Sequence, residues 1–379
     1  MTRQGISTVA RQEFRLRIRA GRWRLLLGIW FAILLLFTGL LRSALGSFSS
    51  AELTDRGVIL YGGLMLFVLG LALLVVPALA AQSVNGDRER GTLATLQVTR
   101  LTAGDITLGK FAAAWGTSLV FLALTLPLVL YAISQGGVPL LRMLVVTVVL
   151  ALLLGTVCAV SLALSALLSR TTTSGVLAYL AVFALTVGTL IVFGLVTAVT
   201  TETSTTTYTP ECPTVSNELS SQERDLLLGT CHNGPQTYED RRPRTDRTWW
   251  LLAPNPFVIL ADSAPTLPPE TKTQRMRREA DQARGVHRQD ARDLDPLGLI
   301  GSAVRSLRRE PEPLVQGAQG LTLSPDATSD TYEPVSEPRQ PVWPYGLAFD
   351  VALAVGALLL TRRRLRTPTR HLALGQRVA

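Results

Sequence analysis

Histidine and cysteine are scarce in this sequence, with three of each in 379 residues. His232, His287 and His371 lie in different regions, and no HExxH or Cys/His cluster with zinc-ligand spacing is present. No combination of nucleophile, base and acid with a recognisable spacing occurs either. The sequence therefore predicts no metal site, no catalytic residues and no enzyme activity in this chain.

A complete nucleotide-binding motif is also missing. Gly104–Lys110 matches the first seven positions of the phosphate-binding GxxxxGK[ST] loop, but Phe111 stands where a hydroxyl would hold magnesium. A capping box of Thr102 and Asp105 at the start of a helix explains part of this segment better. Lys110 is then expected to extend from the helix end toward the membrane surface. No cofactor is expected in the chain.

Charged residues are absent from long stretches, and these stretches fix the fold class. About 20 predominantly apolar residues suffice to cross a bilayer as a helix. Six runs qualify, and only the last contains an acidic residue, Asp350. They are Leu25–Leu41, Val58–Ala81, Phe111–Val138, Met143–Leu168, Gly175–Thr200 and Tyr345–Thr361. The sequence predicts an all-α polytopic membrane protein with six transmembrane helices.

The distribution of arginine predicts the topology. Basic residues concentrate in residues 1–24, in the connection at 82–106, at Arg170 and after Thr361. The other short loops have few, and residues 201–342 carry more acidic than basic groups. Because short basic loops stay in the cytosol, both termini are expected there, in a multi-pass protein of the cell membrane. The predicted layout is listed here: a cytosolic helix in 1–24, five spans in 25–200, an extracytoplasmic subdomain in 201–342, and the sixth span with a basic tail in 343–379.

The first 24 residues have the pattern of an amphipathic helix. Apolar residues recur at three- and four-residue spacing, with Arg11, Arg15 and Arg19 on the other side. The apolar set comprises Ile6, Val9, Ala10, Phe14 and Ile18. This pattern predicts an interfacial helix in the inner headgroup layer, uncleaved and followed by the first span. A solvated basic tail that only sets the orientation is the alternative.

The 201–342 segment is expected to contain several parts. Cys212 and Cys231 would face an oxidising compartment, so a disulfide is predicted, with two free thiols as the alternative. Residues 202–247 are expected to be irregular. The apolar stretch 249–262 is too short to span and is broken by proline, which predicts an interfacial or core-packing segment. Residues 296–309 form an amphipathic pattern, and the proline-rich residues 311–342 indicate a linker.

Asp350 is the acidic residue predicted to lie inside a span. An intramembrane carboxylate is a functional-site hypothesis by default. Arg42 or Arg142, expected near the same membrane level, would be its pairing partners. Contact with a substrate is the alternative.

The connection at 82–106 carries the most specific pattern in the chain. Glu89–Leu96, with the sequence ERGTLATL, is followed by a polar stretch and by ITLGK at Ile106–Lys110. This arrangement resembles permease subunits of type-2 ABC transporters of the bacterial exporter kind, which share a Glu…Gly-Thr-Leu…Leu…Leu-Gly-Lys pattern. The six spans, the basic amphipathic leader and the large loop before the last span are also similar to that family.

The resemblance implies a function and partners. A cytosolic coupling helix, here Asp87–Gln97, would dock on a separate ABC ATPase subunit that binds ATP and magnesium, and a second permease copy or paralogue would complete the exporter. No nucleic acid partner is implied. The residues assigned to ATPase coupling are Arg88, Glu89, Arg90, Gly91, Thr92, Leu93 and Leu96. Leu93 and Leu96 would supply apolar contacts, the charged residues a polar rim, and Gly91 a close turn.

Two alternatives remain open at the sequence level. The 82–106 segment would act only as a linker if no ATPase binds it, although its length exceeds that of a simple connection. The whole protein would instead be a membrane-anchored sensor or assembly protein if the 201–342 ectodomain binds a ligand or partner without transport.

Overall fold

The computed structural model describes residues 2–19, 21–47, 56–91, 101–208, 236–267, 276, 280, 284, 294–309, 315–317, 320–322 and 340–366. The helices of the first two hundred residues are α1 Arg3–Arg19, α2 Gly21–Ser47, α3 Arg56–Ala80, α4 Asn85–Glu89, α5 Ala103–Ala123, α6 Leu126–Ser134, α7 Leu140–Leu167, α8 Thr171–Phe183 and, after a π turn at Ala184–Gly188, α9 Thr189–Val199. Strands β1 Thr201–Tyr208 and β2 Gln236–Pro243 follow, then α10 Thr245–Thr248, a 3-10 turn at Trp249–Leu251, α11 Pro256–Asp262 and α12 Pro296–Ser306. Strands β3 Val315–Gly317 and β4 Gly320–Thr322 precede the last helix, α13 Trp343–Arg364.

In the part of the chain that the structure describes, six helices are long and apolar enough to cross a membrane, as the sequence predicts. These candidate spans are Trp23–Gly46, Arg56–Glu89, Ala103–Ser134, Leu140–Leu167, Thr171–Val199 and Trp343–Arg364. Runs of uncharged residues form helices here because a helix satisfies all of its backbone groups internally. The all-α polytopic fold class is confirmed.

The described chain divides into two compact units. The larger unit comprises residues 1–189, 252–304 and 341–379. Helices α3 and α7 form its centre. In the most apolar stretch of each of these two spans 56% of the residues are buried, compared with 17% in the first span. Leu64, Leu69 and Leu150 lie in this core with at most 1% exposure. The other elements of the unit therefore pack around these two helices.

Part of the predicted extracytoplasmic segment belongs to this larger unit. Helix α11 buries Ile259 and Leu260 completely, which agrees with the core-packing alternative for the 249–262 stretch. Asn255 caps α11 by accepting a hydrogen bond from Phe257 N at 2.9 Å. In α12, Leu297 and Val304 are buried, as the amphipathic pattern predicts. The predicted 201–342 segment is thus shared between the two units.

The smaller unit comprises residues 190–251 and 305–340. Strands β1 and β2 form an antiparallel ladder that runs from the Thr201–Pro243 pair to the Tyr208–Gln236 pair. Residues 202–247 were expected to be irregular, and at both ends of the stretch that expectation is wrong. The sequence signal was weak because threonine and charged residues, not an apolar alternation, occupy these strands. Cys212 and Cys231 lie outside the described residues, so the predicted disulfide stays a prediction.

Candidate coupling site

The connection between the second and third spans begins with a turn and a short helix. Backbone hydrogen bonds continue from α3 through residues 81–84 into α4, including Arg88 N to Val84 O at 3.0 Å. The helix then ends, and Gly91 has a φ of 71°, a left-handed conformation that favours glycine. This conformation agrees with the predicted close turn at Gly91. The predicted helix Asp87–Gln97 is wrong as one continuous helix, because its first part starts at Asn85 and ends before Gly91.

A buried lysine holds α4 against the third span. Lys110 is 1% exposed and lies on α5. Its Nζ donates to Glu13 Oε1 at 2.5 Å and to Ser83 O at 2.9 Å, and it also pairs with Asp87. We call this group of Lys110, Glu13, Asp87 and the Ser83 carbonyl the lysine clamp. The expectation that Lys110 extends toward the membrane surface is wrong, because three acceptors within the protein surround its ammonium.

Two serines fix the turn that leads into α4. Ser165 Oγ, at the end of α7, accepts hydrogen bonds from Val84 N and Asn85 N, each at 3.1 Å. Ser174 Oγ, in the first turn of α8, donates to Ala81 O at 2.9 Å. All of these atoms are buried, and a buried backbone group that loses its partner is costly. The fourth and fifth spans thus supply the other wall of the seat in which α4 lies.

The predicted charged rim is partly used inside the protein. Arg88 Nη1 donates to Leu168 O at 3.2 Å, and Glu89 Oε1 accepts from Thr171 N at 3.3 Å. Arg90 pairs with Asp87 at 3.1 Å while its side chain stays 69% exposed. Glu89, Arg90 and Gly91 are exposed, so they form the free edge of the connection. Thr92, Leu93 and Leu96 lie outside the described residues.

The start of α5 is fixed by the predicted capping box. Asp105 N donates to Thr102 Oγ1 at 3.2 Å, and Thr102 N donates to Asp105 Oδ2 at 3.0 Å. Thr2 N, at the start of α1, donates to the other carboxylate oxygen, Asp105 Oδ1, at 2.9 Å. The prediction of a Thr102–Asp105 capping box is confirmed. The Asp105 carboxylate therefore caps the start of α5, and it also holds Thr2, just before α1, against α5.

Helix α1 packs directly on α5. A Cβ placed on Gly109 would lie 2.6 Å from Val9 Cβ, and one placed on Gly5 would lie 3.1 Å from Asp105 Cγ. Two glycines thus permit a close approach that larger residues would block. Arg11, Arg15 and Arg19 remain exposed on the other side of the helix. The predicted helix is present at Arg3–Arg19 and packs Val9 on protein, and its position in the inner headgroup layer stays a prediction.

Asp350 lies buried in α13 without the partners expected for it. It is 1% exposed, and among the described residues its Oδ1 accepts no hydrogen bond. Arg142 instead pairs with Asp295 and donates to Pro265 O at 3.0 Å. Arg42 contacts the side chain of Tyr131. The hypothesis that either arginine pairs with Asp350 is therefore wrong.

An apolar cavity of about 590 Å³ lies beside the core of the larger unit. Residues of α3, α8 and α11 line it, including Phe67, Phe183 and Phe257. Tyr179 also lines it, and its hydroxyl donates to Leu74 O at 2.8 Å. Within the described residues no cluster of His, Cys, Asp or Glu suitable for a metal ion is found. The cavity can accept apolar groups.

A comparison with protein-family models decides the family. The model described as ABC-2 family transporter protein matches residues 7–230, which is more than half of the chain. The chain belongs to the ABC-2 transporter family. Its matched region includes most of α1, the first five spans and the whole α4 connection. A search of curated proteins gave no match.

Membership in the ABC-2 family gives the coarse function. The chain is a multi-pass membrane permease component of an ABC transporter, and the family implies an ABC ATPase as its partner. The family match favours a non-catalytic transmembrane subunit. This finding favours the transporter hypothesis over the membrane-anchored sensor.

Sequence reasoning missed several residues of this ABC-2 permease. Glu13, Ser83 and Ser174 were assigned no role, and Lys110 was given the wrong one. One signal was available, because Glu13 is the sole acidic residue among the arginines of residues 1–24. A single carboxylate in so basic a segment indicates a specific partner. The serines carried no comparable signal, since their role depends on which helix ends meet.

Proposed function

We propose that this permease exports a substrate with energy from ATP hydrolysis in a separate ATPase subunit that docks on residues 87–97. ATP and magnesium would be bound by that subunit, and a second permease copy or paralogue would complete the transporter. The observation that carries this proposal is the seat of α4. Hydrogen bonds from three spans hold it, while Glu89, Arg90 and Gly91 remain exposed.

Such an arrangement suits a force-transmitting contact. A connection that only joins two helices needs no buried ion pairs, and burying charge is costly unless it is paired. Here Asp87 and Lys110 are both buried and paired. Because the connection is anchored on one side and open on the other, a partner pressing on the open side would move the spans themselves.

Replacement of both leucines tests the docking contact. Leu93→Asp with Leu96→Asp places charge in an apolar contact, which costs several kcal/mol, roughly 3 to 6 for the pair. The double variant should insert normally, because neither residue lies in a span, but it should lose the copurifying ATPase and lose export. The matched control is Leu93→Met with Leu96→Met, which preserves apolar contact and should retain both. A well-inserted aspartate variant that still holds its ATPase would refute docking at this segment.

A further inference from the structure

The lysine clamp joins two segments that are far apart in the sequence. Glu13 belongs to α1 and Asp87 to α4, and both carboxylates contact the same ammonium on α5. In the described residues the side chain of Lys110 has 0% exposure, whereas those of Glu13 and Asp87 have 19% and 12%. The cation is thus the buried centre, and the two acids approach it from the two segments that it joins.

The charge balance makes Lys110 indispensable to both contacts. Without its ammonium, Glu13 and Asp87 would lose the cation that they share in a poorly solvated place, and Arg90 would still contact Asp87. Removing one partner of a buried ion pair destabilises a protein by more than the net stabilisation that the pair provides, because the remaining charge is left uncompensated. Loss of one carboxylate would leave the other still paired with Lys110. The two contacts therefore depend on Lys110 but not on each other.

The choice of lysine supports a specific role. Only two of the 37 basic residues are lysines, Lys110 and Lys272. An ammonium is compact and directs three donors at separate acceptors, whereas a guanidinium is planar and suits paired acceptors. Three acceptors surround Lys110, one on α1 and two on the connection between the second and third spans. The site therefore fits the rarer basic residue of this chain.

We propose that Lys110 is a positioning residue for the transport cycle, which holds the ATPase-docking connection and α1 to the third span as one body. This inference rests on the proposed function for its role in transport. The orientation of α4 toward the ATPase is set by Asp87 on Lys110, and α1 shares that anchor through Glu13. Displacement of α4 is thereby passed to α5 and to α1 together.

Amide hydrogen exchange on the full-length permease in lipid nanodiscs tests the clamp directly. Lys110→Met should speed exchange in peptides covering both 3–19 and 84–90. Glu13→Gln should affect only 3–19, and Asp87→Asn only 84–90. Arg11→Gln, an exposed charge change on α1, is the matched control and should change neither. Unchanged exchange in both segments of Lys110→Met would overturn the proposal.

ATPase binding to the same proteins tests the positioning role. Lys110→Met and Asp87→Asn should each weaken binding by about tenfold, and the double variant should bind no worse than Lys110→Met, because both act through one contact. Equal binding by Lys110→Met and Arg11→Gln, or independent losses that multiply in the double variant, would overturn the role in docking. If the leucine-to-aspartate variant retains its ATPase, the proposed docking fails, while the exchange pattern still decides whether the clamp exists.

A merely structural role would give a different pattern. Exchange in the buried centre of α7 should stay slow in Lys110→Met, since the clamp lies at the end of the helices. General loss of protection there would assign Lys110 to folding. In that case Asp87→Asn decides between the two roles, because this variant keeps the ammonium paired with Glu13. The proposal requires that Asp87→Asn also gives faster exchange at 84–90 and weaker ATPase binding.

Discussion

Two buried aspartates of the larger unit differ in their surroundings. Asp295 pairs with Arg142 and accepts a hydrogen bond from Gly298 N at 3.0 Å. Asp350 is equally buried but forms no ion pair with any of the described residues, and the Oδ1 atoms of both aspartates have no hydrogen-bond partner there. An unsatisfied buried acceptor destabilises a protein. A buried carboxylate in an ion pair cannot be removed without leaving its partner charge uncompensated. A carboxylate retained without such a partner is a candidate for a role in transport.

The contrast between them gives a prediction at the residue scale. Asp295→Asn should lower the thermal stability of the purified protein strongly, because Arg142 loses its counter-charge at a cost of about 3–5 kcal/mol. Asp350→Asn preserves the shape and removes an unpaired charge, so stability should stay equal or rise by about 1 kcal/mol. Melting curves of the two variants in the same detergent measure the difference. A strong destabilisation by Asp350→Asn would mean that this carboxylate has a structural partner.

At the scale of elements, the sequence predicted what depends on local pattern. The spans followed from uncharged runs, and the Thr102–Asp105 cap followed from a two-residue signature with local geometry. The contact of α1 with α5 did not follow, because Gly5 and Gly109 reveal a close approach only once the facing helix is known. Lys110 was misplaced for the same reason. Its acceptors come from segments 27 and 97 residues away for Ser83 and Glu13.

Two glycines of α5 test the contact between α1 and α5. Gly109→Ala would place Cβ 2.6 Å from Val9 Cβ, so α1 should be displaced and its amides should exchange faster. Gly116→Ala on the same helix meets nothing within 4 Å, so it should be harmless or stabilise the helix by up to about 1 kcal/mol. Equal exchange of residues 3–19 in the two variants would argue against the packing of α1 on this face.

At the scale of the whole molecule, the distribution of charge predicts the same orientation that the proposed ATPase docking requires. The positive-inside rule predicts that residues 1–24, the α4 connection and the tail after Thr361 lie in the cytosol. An ATPase that hydrolyses cellular ATP would have to bind on that side. If the orientation were reversed, the exposed edge at Glu89, Arg90 and Gly91 would be inaccessible to such a partner. Topology is therefore the condition that the proposed mechanism must meet first.

Single reporter cysteines test this topology in intact cells. In a background with the native cysteines replaced by serine, cysteines at positions 20 and 370 should resist a membrane-impermeant thiol reagent and react after the cells are permeabilised. A cysteine at position 270, in the predicted extracytoplasmic segment, should react without permeabilisation and serves as the internal control for reagent access. Labelling of position 370 from outside would require an odd number of spans between the two termini if position 20 stayed protected. The connection proposed to dock the ATPase would then need its side of the membrane determined independently, with a reporter at the exposed Gln82.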